Sequence, residues 1–184
     1  MTLTPKQLSN ARAQWKWRGT GRPPFADQPK YDQISVWDFP RPPELVPEAR
    51  EIVIQWESLE IARTSASWAV RETAHPPTYY LPLKDVRTDL LIAAGGGSFC
   101  EWKGPARYWN LLNKTRSLNF VAWSYPTPLP EAMCISDCIA FYAHDLDCTL
   151  GGLKVTPQPG QFYGGWITPD LAGPFKGVPG SSGW

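Results

Sequence analysis

The chain has 184 residues and a formal net charge of +1, with Lys, Arg, Asp and Glu interspersed along it. It therefore lacks the basic field that phosphate backbones require, and nucleic acid is excluded as a partner on electrostatic grounds. No run approaches eighteen apolar residues and the start Met1-Thr2-Leu3-Thr4-Pro5-Lys6 carries no apolar segment behind it, so the expected setting is cytoplasmic, away from membranes.

A chain of this length holds one substantial core with extensions rather than two domains. Ten Trp, seven Tyr and seven Phe exceed what such a core ordinarily needs, which predicts deep β packing or stacking platforms facing a ligand. The four cysteines, Cys100, Cys134, Cys138 and Cys148, read as reduced thiols in a cytosolic compartment. They lack the paired spacing of a structural zinc site, although Cys134 and Cys138 would share a face if their segment were helical. With only His75 and His144, a histidine-rich metal site is excluded by count, so neither metal nor cofactor is expected.

In chain order, Thr4 to Trp15 predicts a short helix, with Thr4 as cap, Pro5 in the first turn and Leu8, Ala11 and Trp15 on one face. The Gly- and Pro-rich run from Arg18 to Pro24 breaks it. Residues 1–35 thus read as a helical arm that packs on the domain or on a second subunit, giving a homodimer. Val36 to Pro43 predicts an extended lead-in rather than a helix. Alternation starts after it: 51–56 and 59–63 read as strands around a Glu57-Ser58 hairpin turn, and Trp68 to Glu72 as the next strand. If Trp68, Val70 and Glu72 share one face, Glu72 follows the apolar side inward and needs a partner there.

The run Glu72-Thr73-Ala74-His75-Pro76-Pro77-Thr78-Tyr79-Tyr80 is a corner. Two prolines fix φ and remove donors, His75 before them is pushed towards extended backbone, and Tyr79 and Tyr80 start a strand with opposite facings. A short helix is expected over 84–91, from the spacing of Leu83, Val86 and Leu90. Further strands are expected at 99–104, 106–111, 120–125, 138–142 and 147–150, with one helical turn over 130–136. Residues 36–156 thus read as a mainly β domain, antiparallel, with small α inserts. Residues 157–184 are Gly- and Pro-rich yet carry Phe162, Tyr163, Trp166, Phe175 and Trp184. They predict an ordered irregular segment laid over the domain or over a partner subunit.

Four motifs now stand in order: Glu72-x-x-His75-Pro76-Pro77-Thr78-Tyr79-Tyr80-x-Pro82-x-x-Asp85-Val86-Arg87, Cys100-Glu101-Trp102-Lys103-Gly104-x-Ala106-x-Tyr108-Trp109, Ala122-Trp123-Ser124-Tyr125-Pro126 and Ile139-Ala140-Phe141-Tyr142. Together, over about Val36 to Leu150, they resemble the family called domain of unknown function 427, in a longer subgroup with an arm and a tail. The resemblance implies two small antiparallel sheets meeting along one edge, like a tent. It also brings the label nucleotidyltransferase-like. That chemistry needs a Gly-Ser turn followed about a dozen residues later by paired carboxylates for two metal ions. Gly97-Ser98 is present, but 107–111 holds no carboxylate, and Asp145-Leu146-Asp147 lies far downstream in a turn-forming position.

No G-x-S-x-G, phosphate-binding loop or H-E-x-x-H is present. What remains is aromatic wall with a few placed charges, the usual make-up of a pocket for a small polar or aromatic molecule. The candidate ligand-binding residues are Arg71, Glu72, His75, Tyr79, Tyr80, Glu101, Lys103, Trp123 and Tyr125. An enzyme using Glu72, His75, Cys100, Glu101 and Lys103 is the alternative, and a purely structural oligomeric module the third reading.

Overall fold

The computed structural model describes residues 3–114 and 116–184. The arm opens with α1 (Pro5–Ala13), closed by a reciprocal cap: Thr4 Oγ1 accepts from the Gln7 amide at 3.3 Å and Gln7 Oε1 accepts from the Thr4 amide at 2.9 Å. No helix residue is buried, so the cap rather than packing defines its start. The helix stops before Trp15, which lies in the irregular segment that follows.

The strands in chain order are β1 (Ile34–Ser35), β2 (Glu44–Glu48), β3 (Ile52–Trp56), β4 (Leu59–Thr64), β5 (Ser67–Arg71) and β6 (Thr78–Pro82). Then come β7 (Leu91–Ala93), β8 (Ser98–Cys100), β9 (Gly104–Asn113), β10 (Arg116–Ser124), β11 (Cys138–Phe141) and β12 (Asp147–Leu150). The last four are β13 (Leu153–Lys154), β14 (Thr156–Pro157), β15 (Trp166–Ile167) and β16 (Leu171–Ala172). The fold is mainly β. An eight-stranded antiparallel sheet runs β2-β5-β6-β11-β10-β9-β7, with β8 hung on β9, and a four-stranded antiparallel sheet runs β13-β12-β3-β4. Two small ladders tie in the ends: β1 pairs β16 in parallel and β14 pairs β15.

Two local expectations are corrected, and one strand was not foreseen. Val36–Asp38 is a 3₁₀ turn, not extended chain, because Ser35 Oγ accepts from the Trp37 amide and the turn drives Val36 and Trp37 fully inside. The helix expected over 84–91 is two 3₁₀ turns, Leu83–Asp85 and Thr88–Leu90, separated by extended Val86, which bridges to Ala62 of β4. Strand β2 was hidden by Pro47, tolerated because β2 is a sheet edge where no partner needs that missing donor.

The period of two sorts the large sheet into two buried faces. Ala69, Tyr79, Leu81, Ala122, Ile139 and Phe141 join the core shared with β3, β4 and β12. Val70, Tyr80, Trp123, Ala140 and Cys138, one residue out of phase, join a second cluster with Tyr125 and Ile135. The corner between β5 and β6 is held from three sides: the Ala74 amide donates to Val36 O, the Lys176 amide to Ala74 O, and the Trp166 amide to Pro77 O. Ala74 sits at φ 72°, so the turn is imposed on a side chain that avoids that region. Lead-in and C-terminal segment therefore both fix the corner, and the C-terminal segment packs on its own chain. No helix among the described residues is long and apolar enough to cross a membrane.

Candidate functional site

On the second face of the large sheet lies a hollow of about 270 Å³. Its floor is the β-sheet aromatics, which project there by alternation: Tyr80 from β6, Tyr108 from β9 and Trp123 from β10, with Tyr125 just beyond. Their polar tips are mostly internally matched. The Trp123 Nε1–H donates to Tyr80 Oη at 3.1 Å, Tyr108 and Ser98 hydroxyls meet at 2.8 Å, and the Tyr142 hydroxyl donates to Phe162 O at 3.1 Å. Burial raises the Tyr80 phenol to about 12 and Tyr125 well above the ordinary value, so both are neutral hydrogen-bonding groups.

Glu72 enters from the end of β5 as the alternation predicts, and its partner is Arg41, from the Pro-rich lead-in. Arg41 Nε donates to Glu72 Oε1 at 2.9 Å, while its two other nitrogens donate to Trp17 O and Thr73 O. The guanidinium is fully enclosed with each arm bonded, the condition under which a buried cation is tolerated. Burial alone would raise the Glu72 carboxyl, but His75, Lys103 and Arg41 around it outweigh that and the pKa is lowered.

His75 is fixed by Gln158. The Gln158 carbonyl oxygen accepts from the Gly165 amide at 3.0 Å and its NH₂ donates to Lys176 O at 2.8 Å, which leaves the second amide proton for His75 Nδ1 at 2.9 Å. Nδ1 must then be an acceptor, and the proton sits on Nε2. Burial lowers the His75 pKa to about 4, in agreement with the neutral tautomer.

The β8–β9 turn supplies Glu101, Trp102 and Lys103. Glu101 Oε1 accepts from Trp15 Nε1 at 2.7 Å and its carbonyl from Arg12 Nε at 2.8 Å, so the arm is sewn to this turn. Lys103 is 9 % exposed. Burial disfavours its charge, but the nearby Glu72 carboxylate favours it, and the pKa is raised. Lys103 belongs to no ion pair among the described residues. The Trp102 indole N–H beside it is buried with no partner among the described residues.

Of the nine candidate residues, Glu72, His75, Tyr80, Glu101, Lys103, Trp123 and Tyr125 converge on the hollow. Arg71 and Tyr79 do not, and this corrects the expectation for both: they are one residue out of phase with Glu72 and Tyr80, so the pleat turns them to the opposite face, into a small cleft with Arg50 and Asp170. Residues outside the expected set complete the wall: Trp15 from the arm and Gln158, Phe162, Tyr163 and Gly164 from the tail. Two cations lie over the Trp15 ring, Lys176 Nζ at 3.9 Å and the Arg41 guanidinium at 4.7 Å from its centroid. Gly164 lies against the Trp123 indole so closely that any Cβ would penetrate the ring. The glycine pair in the tail was the only hint in the sequence of such contact.

The acceptor nitrogen of His75 and one oxygen of each carboxylate are already occupied, and no hydrogen bond joins His75 to Cys100 among the described residues. Cys134 and Cys138 do not share a helix face: Cys134 lies in a 3₁₀ turn, Cys138 starts β11, and the Cys138 thiol points at Cys134 O at 3.9 Å. Among the described residues no group of three or more His, Cys, Asp or Glu is placed to hold a metal ion. Residues 44–152 match the family described as Domain of unknown function (DUF427). No curated protein matches the chain.

Proposed function

The chain belongs to the domain of unknown function 427 family, and from that premise we propose that this member binds a small polar or aromatic molecule in the hollow on the second face of its large sheet. The observation that carries the reading is the lining itself. Stacking surfaces from Tyr80, Trp123 and Tyr125 surround a few converging polar groups, and the cavity of about 270 Å³ approaches the lower end of ligand pockets, about 300 Å³. Cytoplasmic residence fits the reduced cysteines.

A thermal-shift screen of small aromatic and polar metabolites tests this. A ligand at about 100 times its Kd stabilises the folded state by about 2.7 kcal/mol, and that gain should vanish in Trp123→Ala, which removes the stacking wall. A screen without a single hit, or hits unaffected by the Trp123 change, would remove the hollow as a binding site.

A further inference from the structure

Resting on the reading of the hollow as a ligand site, we propose that its ligand is a small aromatic acid, with one planar ring among Tyr80, Trp123 and Tyr125 and its carboxylate on the Lys103 ammonium. The charged groups that face the hollow are unequal in what they still need. Glu72 accepts from Arg41 at 2.9 Å and Glu101 from Trp15 at 2.7 Å. Lys103 has no carboxylate partner among the described residues although it is 9 % exposed. Held charged by its surroundings but with no carboxylate in ion-pair contact, that ammonium is free to give an incoming carboxylate charge-assisted hydrogen bonds. His75 adds a second donor: with Nδ1 accepting from Gln158, its Nε2 carries a proton on a side chain that lines the same hollow.

The surroundings select the sign of the ligand's charge. Aromatic cages also receive quaternary ammonium groups, but here such a cation would meet Lys103 inside the cavity, and the two carboxylates that line it are already bonded to Arg41 and Trp15. The volume selects the size. About 270 Å³ is below the usual range for drug-sized ligands, roughly 300–1,000 Å³, so a single ring is favoured.

Calorimetric titration of the full chain with benzoate, benzamide and benzyltrimethylammonium tests the inference. Benzoate should bind about ten- to a hundredfold more tightly than benzamide, the range for hydrogen bonds to charged groups. Lys103→Met should abolish that preference and Lys103→Arg should keep it. If Lys103→Met does not fold, selectivity in the wild-type protein decides alone. Benzamide or the ammonium probe binding as tightly as benzoate, with loss of binding in Trp123→Ala, would overturn the acid while leaving the ligand site intact. Binding of none of the three overturns the acid as well, and the metabolite screen then reports separately on the hollow.

Discussion

At the His75 imidazole, three hydrogen bonds made by one neighbouring amide settle which ring nitrogen carries the proton, because Gln158 has no freedom to flip without losing Gly165 and Lys176. That arrangement has a thermodynamic signature. The folded pKa is lowered from 6.5 to about 4, so between those values the unfolded chain binds a proton that the folded chain does not. Unfolding is then favoured as pH falls, and the stability fully present above about pH 6.5 is lost progressively down to about pH 4. His75→Asn supplies an acceptor oxygen near the position of Nδ1 without a titrating group. Urea midpoints should fall with acidification through this window in the wild type and fall less in His75→Asn. An equal slope in both proteins would mean that His75 does not titrate as the Gln158 geometry requires. Glu72, whose pKa is lowered from 4.5 with His75 itself among the causes, adds a loss of the same sign at still lower pH, so the two proteins are compared above pH 4.5.

Elements came through the sequence unequally, for identifiable reasons. Strands β5 and β6 of the large sheet were legible because Trp68, Val70 and Glu72, and Tyr79 against Tyr80, follow the pleat with no competing pattern. That same alternation was enough to exclude Arg71 and Tyr79 from a site containing Glu72 and Tyr80, since a cavity sees one face of a sheet. Strand β2 was obscured by Pro47, and the turn at Val36 depends on one Ser35 hydroxyl. Trp15 and Gln158 were invisible because each reaches the site through contacts distant in sequence, with Glu101 and His75, that no short-range pattern encodes. The tail has a compact test. A Cβ on Gly165 would collide with Pro76 O and with the Gln158 carbonyl oxygen, one a backbone atom and the other already bonded. Neither gives way cheaply, so Gly165→Ala should displace the segment and release His75 from Gln158. Hydrogen exchange should report faster exchange at the amides of Gln158 and Trp166, which donate to Gly165 O and Pro77 O, while β9 and β10 keep wild-type protection. Unchanged exchange at those two amides would show that the close approach is not needed to seat the tail.

For the whole molecule, the question is whether segments outside residues 44–152 are attachments or parts of one cooperative unit. Trp166 bears on this directly. It lies in the tail, yet it is 1 % exposed in the core formed with β3, β6 and β11, its ring 5.4 Å from Tyr79 and its indole N–H donating to Phe141 O at 2.9 Å. Removing it leaves a cavity in the central core and a strand carbonyl without its donor, so Trp166→Ala should cost about 3–5 kcal/mol. If arm, sheet and tail unfold together, far-UV circular dichroism and tryptophan fluorescence should give coincident urea transitions, both shifted to lower midpoints by the same amount. An early fluorescence transition that leaves the sheet's midpoint untouched would instead make the tail a separable strap. The hollow depends on which holds, because Gln158, Phe162, Tyr163 and Gly164 form its outer wall, and a strap that detaches on its own would open the site while the sheet stays folded.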